Sequence, residues 1–264
     1  MDTYLLETKG LQKRFGARQV VRGVDLNVRP GEIVGLLGKN GAGKTTTFRM
    51  VMGLLRPNSG RVFFNGDEVS HLPMYKRARL GMGYLAQEPS VFGRMSTADN
   101  IMAVLELLDL TEGERAARLA KLIAELGLEK VKDSKAASLS GGERRRLEIA
   151  RALAVEPSLL LFDEPFSGVD PIAVFEIQER IYALRAKGLG VLLTDHNVRE
   201  TLAITDRAYI MEEGTIWLQG TPRELVDHPD ARRLYLGERF EMDLGAARPG
   251  TADDAKSDAD GKSR

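Results

Sequence analysis

From Leu5 to Val28 apolar and polar residues alternate, interrupted by Gly10, Gly16 and Gly23, which predicts short antiparallel strands joined by tight turns. Pro30-Gly31 closes that stretch. Glu32 to Leu37 is a compact apolar run that delivers into glycines, and Thr45 to Leu55 then has helical periodicity. The order is strand, glycine loop, helix. Between about Glu88 and Glu156 the pattern turns helical. Ala, Leu, Glu and Arg dominate from Glu112 to Leu128 and again from Glu143 to Ala154, so an inserted helical subdomain is expected over about 88–157. Two strand-like runs follow, Leu159 to Phe162 and Gly190 to Thr194, separated by a helix over Ile172 to Lys187. Strands alternating with helices predict an α/β core with a parallel sheet, here formed by about 1–87 and 158–240. Residues 241–264 lose periodicity and carry Gly, Ser, Asp and mixed charge, which predicts a disordered tail.

Composition narrows the function more than the fold. At 264 residues the chain can bury one α/β core but not two tandem catalytic domains. Formal net charge is +0, so no global basic field gathers nucleic acid, and none is expected as a partner. The run Arg144-Arg145-Arg146 is flanked by Glu143 and Glu148, and it reads as a solvated or subunit-facing surface. No apolar run is long enough to span a bilayer, and the N-terminus lacks the layout of a signal peptide. With no cysteine, thiolate metal sites and cysteine nucleophiles are excluded, and a cytoplasmic location is expected. His71, His196 and His228 are too scattered to read as a ligand set.

Gly38-Lys39-Asn40-Gly41-Ala42-Gly43-Lys44-Thr45 fits the pattern of a phosphate-binding loop, and it stands after a buried strand and at the start of a helix. Its glycines let backbone N–H groups curl around phosphate oxygens, and the helix start at Thr45 and Thr46 adds a favourable dipole. Lys44 can reach the β- and γ-phosphates, and the Thr45 hydroxyl suits Mg²⁺. ATP and Mg²⁺ are thus the expected ligands. Leu159 to Phe162 ends in Asp163-Glu164, two carboxylates at the sheet edge where α/β proteins bind ligands. Asp163 reads as a contact to Mg²⁺ and Glu164 as the general base for an attacking water, against the alternative of an acidic helix cap.

Leu139-Ser140-Gly141-Gly142-Glu143 opens a second helix suited to an anion, yet the chain carries no second phosphate loop. A serine-capped helix start is the plain alternative. With these motifs in this order, residues 5–240 resemble the ABC ATPase family, and the resemblance implies a P-loop NTPase (RecA-like) core with an N-terminal antiparallel β subdomain. In that family the signature formed here by Ser140, Gly141 and Gly142 presses on the γ-phosphate held by the opposite subunit, which implies a homodimer closing around two ATP.

The resemblance implies further roles one residue at a time. Gln87 matches the glutamine that senses Mg²⁺ and the attacking water, and His196 matches the histidine that contacts the γ-phosphate. Asp170 closes the loop Ser167-Gly168-Val169-Asp170 that crosses the dimer interface, or it caps a helix before Pro171. Phe15 falls where an aromatic ring stacks on adenine, or it belongs to the core.

Within the family the chain is most similar to the cytoplasmic ATPases of bacterial lipopolysaccharide export. The stretches that carry this include Asp163-Glu-Pro-Phe166, Thr194-Asp-His-Asn-Val-Arg-Glu-Thr-Leu202 and Tyr235-Leu-Gly-Glu238. This implies two transmembrane permease subunits docking near Gln87 to Arg94, with Glu88, Val91, Phe92 and Arg94 as the groove. It also implies peripheral attachment to the cytoplasmic face of the inner membrane. Ala86 and Gly93 depart from the family pattern, which commonly has a proline and a second basic residue there. Tyr235 to Phe240 resembles a C-terminal element used at the dimer contact; packing on its own subunit is the alternative. An importer ATPase of the branched-chain amino-acid type and a soluble ABC ATPase are the competing readings.

Overall fold

In a computed structural model, residues 4–88, 90–237 and 240 are described. The expected tail, 241–264, lies outside them. Strand β1 (Leu6–Phe15) pairs antiparallel with β2 (Arg18–Val28) and with β4 (Ser59–Phe64), and β4 pairs with the short β5 (Asp67–Glu68). The alternation over 5–28 therefore forms two long strands rather than several short ones. The register shift between Thr8 and Leu11 absorbs Gly10 as a bulge.

The second sheet has the order β10-β9-β3-β8-β7-β6. Strands β3 (Ile33–Gly38), β6 (Met82–Leu85), β7 (Leu159–Asp163), β8 (Gly190–Thr194) and β9 (Arg207–Glu212) run parallel, and β10 (Thr215–Gly220) is the antiparallel edge. Successive residues of β7 enter different cores: Leu160 and Phe162 join one apolar cluster, Leu159 and Leu161 another. Burial on both faces explains why these strands read as unbroken apolar runs. The β9–β10 hairpin was not among the expected elements, although Ala208 to Met211 is apolar and Glu213-Gly214 supplies its turn.

Helix α1 (Lys44–Met52) follows β3, and α2 (Met74–Arg79) leads into β6. Between β6 and β7 lie the helices α3 (Thr97–Leu105), α4 (Glu112–Glu125) and α5 (Gly141–Leu153). Leu147 and Ala150 of the last of these, and Ala154 at its C-cap, are fully buried, as their spacing requires. Helix α6 (Pro171–Ala186) joins β7 to β8, α7 (Val198–Ile204) joins β8 to β9, and α8 (Pro222–Asp227) follows β10. A π-helical turn, Arg232–Leu236, packs Tyr235 and Leu236 against a cluster that includes Leu37 and Leu202. No described helix is long and apolar enough to cross a membrane.

The two bulged strands meet at a glycine contact. Gly60 has φ 87°, and a Cβ there would lie 2.3 Å from the Gly10 carbonyl oxygen. Gly60→Ala combines backbone strain with overpacking, so it is expected to lower stability by about 3 kcal/mol. Thermal denaturation followed by circular dichroism should show a melting midpoint lower by roughly 6–12 °C.

Candidate active site

The phosphate loop connects a fully buried strand to a helix whose first amides have no side-chain cap. Gly43 adopts φ 108° and a Cβ there would meet the Val20 carbonyl oxygen at 2.9 Å, so the loop can pass only as glycine. Asn40, Gly41, Gly43, Lys44, Thr45, Thr46 and Glu164 line one cleft of about 340 Å³. Arg18 and Val20 complete it. Neither was expected from the sequence, because they belong to the first hairpin and reach the loop only through the meeting of the two sheets. Phe15 does not line the cleft. It stands half-exposed at the end of β1 with the Lys13 ammonium 5.4 Å from its ring centre, paired across the turn with Arg18.

Lys44 is buried, and its Nζ donates to the carbonyl oxygens of Gly38 at 2.7 Å and Lys39 at 3.2 Å. Burial pulls its pKa down, opposed by the nearby carboxylates of Glu164, Asp163 and Asp195. The Gly38 amide donates to the Tyr235 hydroxyl at 2.9 Å, and burial pushes that phenol up to about 12. The segment around Tyr235 thus packs on its own subunit and closes on the first residue of the phosphate loop.

Strand β7 delivers the two acids into unlike surroundings. Asp163 is 1% exposed; its Oδ2 accepts from the Tyr84 hydroxyl at 3.1 Å, while its Oδ1 is buried without a partner. Burial raises its pKa above 3.8. Glu164 turns outward with φ 52°, a left-handed conformation that is uncommon outside glycine and concentrates at functional sites. Its Oε2 accepts from the Gln87 side-chain amide at 2.8 Å, and His196 Nδ1 lies 3.7 Å away. His196 Nδ1 also lies 3.3 Å from Asp195 Oδ1. The other oxygen of the fully buried Asp195 accepts from the Phe166 amide at 2.8 Å. Asp195, like Tyr84, was missed by sequence reasoning. A carboxylate ending β8 as Asp163 ends β7 was the available signal.

Ser140, Gly141 and Gly142 open α5 and do not line the cleft. Ser140 forms a capping box, its Oγ accepting from the Glu143 amide at 3.3 Å and donating to the Glu143 carboxylate at 2.8 Å. A Cβ at Gly141 would meet nothing within 4 Å, so this helix start faces open space. Asp170 caps α6, its Oδ1 accepting from the amides of Ile172 and Ala173 at 3.0 Å each.

Phe92 is half-exposed, and the Arg151 guanidinium lies 4.8 Å from its ring centre. Within the arginine run, read as a solvated or subunit-facing surface, Arg145 departs from that expectation while Arg144 and Arg146 stay partly exposed. Arg145 is buried, pairing with Glu148 at 2.8 Å and donating to the Ala86 carbonyl oxygen at 3.4 Å, and Arg146 pairs with Glu176.

A glycine phosphate loop after β3, a buried acid ending β7 and a histidine after β8 define an α/β P-loop NTPase core. The ABC transporter family profile matches residues 21–167, and the chain belongs to that family as an ATP-binding subunit. It is 56% identical to the lipopolysaccharide export system ATP-binding protein LptB of Acidithiobacillus ferridurans, over 90% of this chain and 99% of that one. To LptB of Escherichia coli K12 it is 52% identical over the same shares. A probable ABC transporter ATP-binding protein of Azorhizobium caulinodans is 54% identical over 88% of this chain and 83% of that protein. Among solved structures, the ADP conformation of MJ1267, an ATP-binding cassette of an ABC transporter, superimposes with a TM-score of 0.80 at 26% identity, covering 89% of this chain and 99% of that one.

The raised pKa of Asp163 sets the sign of its effect on stability. Above 3.8 the folded chain holds this proton more tightly than the unfolded chain, so stability falls as pH rises towards the elevated folded value. Asp163→Asn is therefore expected to raise the melting midpoint of the nucleotide-free protein while lowering Mg-dependent ATPase activity by about 100-fold or more. Paired thermal melts and phosphate-release assays check both.

Proposed function

We propose that this chain is the ATP-hydrolysing subunit of a lipopolysaccharide exporter. Two copies close head to tail around two ATP, and separate membrane subunits extract the lipid from the inner membrane. The observation that carries this is the Glu164 carboxylate, held by Gln87 at the mouth of the phosphate-loop cleft, in a chain that spans nearly the whole length of LptB.

The loop amides after Gly38, from Lys39 to Thr46, with Asn40, Gly41 and Gly43 in the turn, wrap the phosphates, and Lys44 turns from its two carbonyls to the β- and γ-phosphate oxygens. Mg²⁺ fits the donors present: the unpartnered Asp163 Oδ1, the Thr45 hydroxyl and the Gln87 amide oxygen are hard oxygen ligands. When bound, it neutralises charge on the phosphate oxygens. Glu164 takes a proton from the water as its oxygen bonds to the γ-phosphorus and the bond to the bridging β,γ-oxygen breaks, leaving ADP and phosphate. His196 orients the γ-phosphate, and Phe15 stacks on adenine.

Ser140, Gly141 and Gly142 of a second copy supply the amides that complete each site, with Asp170 at the crossing. Exposed Ile172 and Phe175 beside Asp170 support a covered surface there. The permease subunits dock on Glu88, Val91, Phe92 and Arg94, which places the chain on the cytoplasmic face of the membrane through its partners. The boundaries at about 88 and 157 mark the helical subdomain that carries both contacts.

Glu164→Gln with Mg-ATP should elute as a homodimer, lose about 100-fold or more in hydrolysis rate, and co-purify with membrane subunits of lipopolysaccharide export. An unchanged rate overturns Glu164 as the base, and recovery of an amino-acid permease instead overturns the exporter.

A further inference from the structure

Arg77 is among the largest fully buried side chains, 1% exposed, and no described partner of it is an acid. Its Nε donates to the Leu72 carbonyl oxygen at 2.9 Å, Nη1 to those of Met50 at 2.8 Å and Val51 at 2.5 Å, and Nη2 to that of Ser70 at 3.0 Å. Burying an arginine without a carboxylate is costly, and burial pulls its pKa down to about 10. Four carbonyl dipoles offset that cost.

Met50 and Val51 lie in the last turn of α1, where helix carbonyls lack a helical amide four residues on and the helix carries partial negative charge; the Met50 carbonyl oxygen also accepts from the Gly53 amide at 3.2 Å. A second feature serves the same contact. Gly53 caps α1 with φ 75°, and a Cβ there would stand 2.7 Å from Arg77 Nε and 2.7 Å from the Leu72 carbonyl oxygen. Only glycine leaves room for the guanidinium.

The two ends of α1 are treated oppositely. At its start Gly43 provides no side-chain cap and the first turn carries no acid, which leaves the amides free for phosphate; at its finish a buried cation binds the carbonyls. The helix has nine residues, about 13 Å of rigid rod, so movement at Met50 is felt at Lys44. We propose that Arg77 is a positioning residue for ATP, holding the far end of α1 so that the phosphate loop stays aligned with the strand that feeds it. It touches no nucleotide. The inference rests on the reading of this loop as the ATP site.

The test compares Arg77→Met and Arg77→Lys with Leu122→Ala, a cavity variant of the buried residue Leu122 on α4, away from α1. Each is assayed for KM and kcat with Mg-ATP and for its melting midpoint. Arg77→Met should raise KM about tenfold with kcat within about twofold, and Arg77→Lys, which keeps the charge but not the four-way geometry, should fall between it and wild type. Leu122→Ala should lower the midpoint and leave KM unchanged. A KM for Arg77→Met within about twofold of wild type overturns the proposal, as does an equal KM shift in Leu122→Ala. Should Arg77→Met fail to fold, Arg77→Lys carries the test, and a wild-type KM for it overturns the proposal. Wild-type protein that fails to bind Mg-ATP would instead overturn the functional reading.

Discussion

Three carboxylates, those of Asp163, Glu164 and Asp195, gather at the carboxyl edge of β7 and β8, and one buried ammonium, Lys44, stands among them. Like charges at the end of an apolar sheet are unfavourable unless something spreads or neutralises them. The structure spreads them by giving each carboxylate a different partner. Asp163 takes a phenol and keeps one oxygen unpaired, Glu164 takes an amide, and Asp195 takes a backbone N–H near His196. What remains unbalanced is the unpaired Asp163 oxygen, and the glycine loop beside it is shaped for the phosphates that accompany a cation.

The glutamine segment links this charged edge to the helices between β6 and β7. Arg145 on α5 donates to the Ala86 carbonyl oxygen, Glu148 accepts from the Ser90 amide at 3.2 Å, and Arg151 donates to the Ser90 carbonyl oxygen. The residues flanking Gln87 are thus held from the same helix that starts at Ser140. Since Gln87 in turn binds Glu164, the helix that opens at Ser140 and the carboxylate proposed as the base are joined through one short segment.

Legibility in the sequence followed the distance over which each feature is encoded. The phosphate loop, the acid pair ending β7 and the signature are local patterns, and the structure places each at the expected element boundary. Ser140 and Asp170 are helix caps in this chain, as the plainer readings of both had it. Features made by residues far apart were invisible: the Tyr84 hydroxyl on Asp163, Arg18 beside the loop, and Tyr235 on Gly38. Arg145 misled because a charge run carries no mark of which member turns inward, and its burial depends on a backbone carbonyl from another element.

The central strand is also a matter of timing. Leu36 in β3 waits 158 residues for the Thr194 hydroxyl, and Gly38 waits 197 for Tyr235. At ribosomal speeds of roughly 5–20 residues per second, the apolar face of β3 stands without its sheet neighbours for about ten to forty seconds of synthesis. The phosphate loop is thus translated well before the segments that close on it. A nascent chain carries its most recognisable motif well before that motif can hold a nucleotide in place.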